Sequence, residues 1–232
     1  MSRLAMSIGA GILSLAVFFV PAAAGEAAVK DKPPKPKPQA LFEVQPPFGS
    51  LVIGDYGDRV KAFMDFLPKA AELAPAAKAE AARLRALPPP EANTAAQRIM
   101  AFVTGSLDAL CAEAELMKSW KKGPPPSAGK VIDKVVAMDC KEKPIADVLA
   151  KASAGWGVTF ELSPAARIAT GAMDVDLEGA PSLKDFLKWL ADEQGLLCGF
   201  VGEKIVLTTA ASVKLQENIE KAGKEKDKKP GC

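Results

Sequence analysis

The chain of 232 residues contains no histidine. Histidine is the commonest general base near neutral pH, so Ser–His–Asp triads and Cys–His catalysis are excluded. There is also no C-x-x-C pair and no glycine-rich phosphate-binding motif, which argues against a zinc site and a nucleotide site. We therefore predict no catalytic residue, no metal and no cofactor, and we expect the protein not to be an enzyme.

Strong charge of one sign is also lacking, since the net charge is only +2. Nucleic-acid binding requires a strongly basic face. The lysine-rich stretches at 30–37 and 221–229 lie in segments whose composition is typical of unfolded, solvated chain. We therefore expect no nucleic-acid partner.

The only long apolar run lies at the N-terminus. Arg3 is followed by an apolar stretch from Ile8 to Val20 and by the small residues Ala22 to Ala24, the order found in a secretory signal peptide. A membrane-spanning helix needs about 20 apolar residues, and Pro21 ends this run early. We predict that residues 1–24 are a cleaved signal, the alternative being a retained anchor. The mature protein is then periplasmic or secreted, without stable membrane insertion.

Cysteine is scarce, with four residues: Cys111, Cys140, Cys198 and Cys232. In an oxidising compartment four cysteines allow three pairings. Cys140 and Cys198 both fall in predicted strands, which makes them a possible disulfide. Cys232 is either a free thiol or an intermolecular link.

A gapless repeat is the main positive feature. Residues 145–162 align with residues 183–200 at a constant offset of 38. Each copy contains a short amphipathic helix, a glycine (Gly157 or Gly195) and an apolar strand. With the alternating segments before and after them, the predicted order is β-α-β, β-α-β-β. One unit buries too little apolar surface to fold alone, so we expect the two units to share a sheet.

The fold class predicted is α+β, with a C-terminal domain of two βαβ units with a small sheet, preceded by an all-helical N-terminal domain. A helix from Thr94 to Trp120 has an apolar stripe that could pack within the chain or against a second copy in a homodimer. The predicted divisions are the signal at 1–24, a Pro/Lys-rich linker and irregular segment at 25–54, the helical domain at 55–122, a linker at 123–129, the α+β domain at 130–212 and a charged flexible tail at 213–232.

Two tryptophans are candidates for partner binding. Trp156 precedes the glycine that ends the first repeat helix, and Trp189 lies off the apolar stripe of the second. Aromatic residues are enriched at interfaces, although packing under a loop or against the helical domain would also explain them. Asp174 and Asp176 alternate along a strand and are expected on its solvated face, the alternative being a carboxylate site. Asp147 and Asp185 fall in helix first turns, where carboxylates are stabilising.

Residues 130–209 resemble the secretin/TonB short N-terminal domain family. The resemblance rests on VAMDCKEKPIADVL at 136–149, GVTF at 157–160, and DLEGAPSLKDFL with the following GLL within 176–197. It implies two packed βαβ units and a periplasmic docking role towards inner-membrane machinery or an anti-sigma regulator. No secretin ring or barrel sequence follows residue 209, so we expect a free-standing adaptor that binds another envelope protein. The alternative is a structural protein that self-associates through the 94–121 helix and cysteine cross-links.

Overall fold

The computed structural model describes residues 44–49, 56–88, 94–171 and 173–227. The fold is mixed α+β, with more helix than strand and with small sheets. The described residues belong to one compact unit. The predicted signal at 1–24 and most of the segment at 25–54 lie outside the described residues.

The first part of the described chain is helical. It contains α1 (Tyr56–Phe66), α2 (Ala70–Ala86) and α3 (Thr94–Ser119). A 3₁₀ turn at Leu67–Lys69 separates the first two helices, because Pro68 has no N–H to continue the α-helical ladder. The long helix predicted from Thr94 is confirmed.

The apolar stripe of α3 is used within the chain. Its central side chains are fully buried, and we call the cluster that they join the first core. The stripe is therefore not exposed as a seam for a second copy. The larger members of the first core are Phe48, Phe63, Leu67, Leu84, Val103, Leu107, Leu110, Met117, Trp120, Val206 and Leu215.

The second part alternates strands and helices. Its strands are β1 (Lys121–Lys122), β2 (Met138–Pro144), β3 (Phe160–Leu162), β4 (Asp174–Gly179), β5 (Leu197–Val201) and β6 (Lys204–Thr208). Its helices are α4 (Ile145–Trp156), α5 (Pro164–Thr170), α6 (Leu183–Asp192) and α7 (Ala210–Asp227). A 3₁₀ helix, Pro126–Val131, precedes β2.

Both repeat helices begin where the sequence predicts; α4 ends at its glycine, whereas α6 ends at Asp192, three residues before Gly195. Gly157 and Gly195 have φ of 69° and 64°, a region that favours glycine at a helix end. Ser182 caps α6, since its hydroxyl accepts a hydrogen bond from the N–H of Asp185. The apolar stripe of each helix is buried or partly buried in a second core, which is separate from the first.

The two units share strand pairing as expected, but in two small sheets and not in one, and each sheet contains strands from both units. One sheet has the order β1-β5-β6-β3, and the other contains β2 and β4 paired antiparallel. The strand before each repeat helix lies in the two-stranded sheet, and the strand after it lies in the four-stranded sheet. Each helix therefore connects two sheets. The second core takes side chains from both helices and both sheets, among them Met138, Ile145, Val148, Trp156, Val175, Leu183, Phe186, Leu190, Ile205 and Leu207.

The four-stranded sheet joins the two cores. Along β6, Ile205 and Leu207 belong to the second core and Val206 belongs to the first, because successive side chains in a strand point to opposite faces. Trp120 covers Gly199 of β5 on the side of the first core, and its Nε1–H donates to the Val206 carbonyl at 3.3 Å. The boundary predicted at 123–129 is not confirmed, since both parts contribute to the first core.

Two helices were not expected. α5 follows Ser163, whose hydroxyl accepts from the N–H of Ala166. α7 occupies most of the segment predicted as a flexible tail at 213–232, and that prediction is wrong as far as residue 227. Leu215 is fully buried, and the side chain of Asn218 donates to the Pro68 carbonyl at 2.8 Å. These contacts hold a helix whose charged composition is otherwise typical of an exposed tail.

Candidate docking edge

Strand β3 lies at one edge of the four-stranded sheet. It pairs in parallel with β6, and among the described residues no strand lies on its other side. The N–H of Ile205 donates to the Thr159 carbonyl, and the N–H of Ser163 donates to the Leu207 carbonyl. By the alternation of a parallel ladder, the backbone groups of Phe160 and Leu162 point outward.

Two of these four outward groups are held by side chains of the same chain. The N–H of Phe160 donates to the hydroxyl of Ser153 at 3.2 Å, and the carbonyl of Leu162 accepts from Nε of Arg167 at 3.1 Å. The Phe160 carbonyl and the Leu162 N–H have no strand partner in the part of the chain that the structure describes. A row of outward backbone groups is a template for another extended chain.

A groove of about 330 Å³ runs between β3 and α4. It is lined by Ala146, Leu149, Ala150, Ser153, Phe160, Glu161, Leu162 and Arg167. The alanines of α4 are small, so the helix leaves room beside the strand. This combination of a free edge and an adjacent apolar groove is what strand addition uses, with main-chain bonds for affinity and pockets for alternate side chains.

The rim of the edge is positively charged. The carboxylate of Glu161 lies 3.1 Å from Nζ of Lys204 and 3.9 Å from a guanidinium nitrogen of Arg167. All three side chains are exposed, so each pair contributes little to stability. Two cations face one carboxylate, which leaves one positive charge in excess.

The matched edge in the other copy of the repeat is already filled. At the offset of 38, Leu162 corresponds to Phe200 and Glu161 to Gly199. Strand β1 pairs antiparallel with this edge, Lys121 opposite Phe200 and Lys122 opposite Gly199. The chain itself thus adds a strand to β5 at the position where, in the described part of the chain, β3 has none.

Two of the other sheet edges, those of β1 and β2, are protected. The outer edge of β1 has two exposed lysines, and charged edge residues oppose further strand addition. β2 contains a register shift, exposed charged residues and Pro144, which has no N–H. Within that irregular stretch Glu142 has φ of 48°, and its N–H donates to Asp176 at 2.6 Å.

Two larger grooves flank α3. One, of about 580 Å³, lies against α2 and has the exposed Arg85–Asp108 ion pair at its side. The other, of about 420 Å³, lies against α5 and is lined mainly by small and apolar residues. Neither lies beside a free strand edge, so neither offers backbone groups to a partner.

The structure separates the two predicted tryptophans. Trp156 is 2% exposed, its Nε1–H donates to the Lys134 carbonyl at 2.6 Å, and its ring lies 5.1 Å from that of Phe186. The prediction that Trp156 contacts a partner at the surface is therefore wrong, because this residue continues the apolar stripe of α4 one turn after Ala152. Trp189 is partly exposed and stacks on Phe186 at 5.7 Å.

The predicted disulfide is not formed in the structure. Cys140 lies in the two-stranded sheet and Cys198 in the four-stranded sheet, and both thiols are free. Burial raises the pKa of the Cys198 thiol to about 11. Burial also raises the pKa of Cys111, and the nearby Asp108 adds to that shift. Cys232 lies outside the described residues.

The predicted aspartates have structural positions. Asp174 and Asp176 are exposed on β4, and Asp147 and Asp185 lie in the first turns of α4 and α6. In residues 44–49, 56–88, 94–171 and 173–227, no group of three or more acidic or cysteine side chains could hold a metal ion.

Two buried glutamates were missed. Glu113 of α3 is fully buried, and its carboxylate accepts from the N–H of Ala165 at 3.0 Å and from the hydroxyl of Thr208 at 2.9 Å. It ties α3 to the first turn of α5 and to the end of β6. The available signal was its position between Leu110 and Met117, on the apolar side of the helix.

Glu80 of α2 is the second buried glutamate. It accepts two hydrogen bonds from Arg83, at 2.8 and 2.6 Å, and one from the N–H of Gln45 at 3.0 Å. The hydrogen bonds from Arg83 lower the pKa of Glu80, and burial opposes them. The charged carboxylate fastens the segment 44–49 to the helices.

Comparisons with family models, curated proteins and solved structures find no match for this chain. The resemblance of residues 130–209 to the secretin/TonB short N-terminal domain therefore stays a prediction. A search of the described helices for one long and apolar enough to span a bilayer is also negative.

Proposed function

We propose that this chain is an exported periplasmic adaptor that binds another envelope protein, and that the partner docks by adding a strand to β3. The observation that carries the proposal is the contrast between the two matched edges. β5 receives β1 from the same chain, whereas β3 has outward backbone groups beside an apolar groove. The resemblance to a periplasmic docking family and the sequence of residues 1–24 support the same interpretation.

The docking site is tested by photocrosslinking in cells that express the full chain. A photoreactive residue replaces Ala150, which lines the groove, or Lys188, the matched position in the other copy. We expect a discrete adduct from position 150 and none from position 188.

A second change, Leu162→Pro, distinguishes docking at the β3 edge from nonspecific binding. Leu162→Pro removes the outward N–H without removing a bond to β6, so the sheet tolerates it, whereas partner docking loses one main-chain bond and its geometry. The adduct should then disappear while the protein stays folded by circular dichroism. An adduct that survives Leu162→Pro, or equal adducts from positions 150 and 188, would contradict strand addition at β3.

Export is tested separately by fractionation and mass measurement. We expect the purified periplasmic protein to begin after Ala24. A cytoplasmic protein that retains residues 1–24 would overturn the localisation without bearing on the docking edge.

The alternative of a self-associating structural protein has no comparable support. The α3 stripe on which it depends is fully buried at Val103, Leu110 and Met117.

A further inference from the structure

We infer that the segment which docks on β3 is an extended stretch with an apolar–acidic–apolar pattern, running antiparallel to β3 with its acidic residue opposite Glu161. Arg167 and Lys204 would then determine specificity. This inference rests on the proposed docking function and specifies the partner's chemistry.

The direction of the added strand follows from the filled edge. β1 runs antiparallel to β5, and the N–H of Gly123 donates to the Cys198 carbonyl at 3.1 Å. Cys198 corresponds to Phe160 at the repeat offset. The Phe160 carbonyl is thus the group that a partner N–H would meet in the same geometry.

The apolar positions follow from the faces of β3. Phe160 and Leu162 pack against the second core, on the side where Leu149 and Ala150 line the groove. Residues directly opposite each other in an antiparallel pair project to the same face. Partner residues opposite Phe160 and Leu162 therefore enter the groove, where apolar side chains are favoured.

The acidic position follows from the charges on the other face. The partner residue between the two apolar ones projects to the side of Glu161, where Arg167 and Lys204 leave one positive charge in excess. Nε of Arg167 also donates a hydrogen bond to the Leu162 carbonyl. A docked strand would donate to that carbonyl in its place. The Arg167 guanidinium is then available for a partner carboxylate.

A second copy of this chain is the competing occupant, because Phe160, Glu161 and Leu162 themselves form an apolar–acidic–apolar sequence. An antiparallel β3–β3 pair centred on residue 161 would also place one carboxylate opposite another, with Arg167 and Lys204 beside them. The sedimentation measurement described below distinguishes the two occupants.

The test selects binding peptides from a displayed random nonapeptide library on the purified full chain. We expect the enriched peptides to contain an aliphatic or aromatic residue, then Asp or Glu, then another apolar residue, and to lose binding at least tenfold on Leu162→Pro. In the double variant Arg167→Glu, Lys204→Glu the preference should change to Lys or Arg at the central position. The matched control, Lys184→Glu with Lys188→Glu on α6, should keep the acidic preference.

Each other outcome has a distinct meaning. Peptides that depend on the β3 edge but show no acidic preference would refute the pattern and leave the docking function standing. Selection that yields no edge-dependent peptide would refute both. Sedimentation that shows a dimer dissolved by Leu162→Pro would assign the edge to a second copy and overturn the acidic partner.

Discussion

In the second copy of the repeat, β5 is covered along its outer edge by β1 and on one face by Trp120. In the first copy the matched strand, β3, has a groove beside it and, among the described residues, no strand on its outer edge. The helices differ accordingly, with Ala146 and Ala150 on α4 where α6 has Lys184 and Lys188. The two copies thus differ in that the segment ending α3, with Trp120 and β1, covers the second copy and not the first.

The largest expected effect concerns the two tryptophans. Trp156→Ala removes a buried indole and its hydrogen bond to Lys134, so the free energy of unfolding should fall by about 3–5 kcal/mol. Trp189→Ala removes a partly exposed ring and should cost about 1 kcal/mol. Urea unfolding followed by circular dichroism measures both, and equal losses would show that Trp189 is as much a core residue as Trp156.

Thiol reactivity compares the two edges at matched positions. With a pKa of about 11, Cys198 is about one part in a thousand thiolate at pH 8, against about a quarter for an ordinary cysteine. In a background with serine at the other cysteines, iodoacetamide should modify Cys198 about a hundredfold more slowly than an unperturbed thiol. Its rate should rise about tenfold per pH unit until the pH approaches 11.

The matched variant places Phe160→Cys in a background without native cysteines. Because the first copy lacks a covering strand, this thiol should react faster than Cys198. Equal slow rates would indicate that the two edges are equally covered.

A smaller effect is expected from adding one methyl group. In Gly199→Ala the new Cβ would lie 2.0 Å from the Trp120 ring, so either β5 or Trp120 must move, at a cost of about 1–3 kcal/mol. The matched change in the open copy, Glu161→Ala, should alter stability by no more than about 0.5 kcal/mol. If thermal and urea unfolding give Gly199→Ala the smaller loss, Trp120 does not close this face.

The sequence predicts local features of the two copies better than it predicts which strands pair. Gly157, Gly195 and the apolar stripes determine local helices and their ends, so α4 and α6 were found within a residue or two. Strand pairing was not found, because alternation along Phe160–Leu162 predicts which side chains share a face and not which strand is the neighbour.

The candidate site was missed for a similar reason. An open edge depends on where β1 pairs, and Lys121–Lys122 has no strand signal of its own. Trp156 was predicted as a possible partner contact, yet it lies four residues after Ala152 on the buried stripe. In α7 the many charges concealed the spacing of Leu215 and Ile219, which is typical of a helix that packs on one side.

The smallest expected effect is a pH dependence of the free energy of unfolding. It comes from Glu80 in α2, in the helical part of the chain. The pKa of Glu80 is lowered, so its contribution is complete above its unfolded value of about 4.5 and is lost as the pH falls towards its folded value. Glu80→Gln should cost about 1 kcal/mol at pH 7, and the difference from the unmodified chain should shrink below about pH 4.5.

The control for Glu80 is the exposed pair of Arg85 and Asp108. Asp108→Asn should change stability by less than about 0.5 kcal/mol at either pH. A difference between Glu80→Gln and the unmodified chain that grows with acidification would reverse the sign argued for this carboxylate.

Amide hydrogen exchange at two matched residues is the most direct measurement of the difference between the copies. By antiparallel alternation, the outward N–H of Phe200 is bonded to β1, and the outward N–H of Leu162 faces the open edge. Resolved by NMR, Phe200 should exchange slowly, close to the rate set by global unfolding, and Leu162 at least a hundredfold faster. Equal protection of the two amides would mean that the β3 edge is already covered, and the docking account would fail.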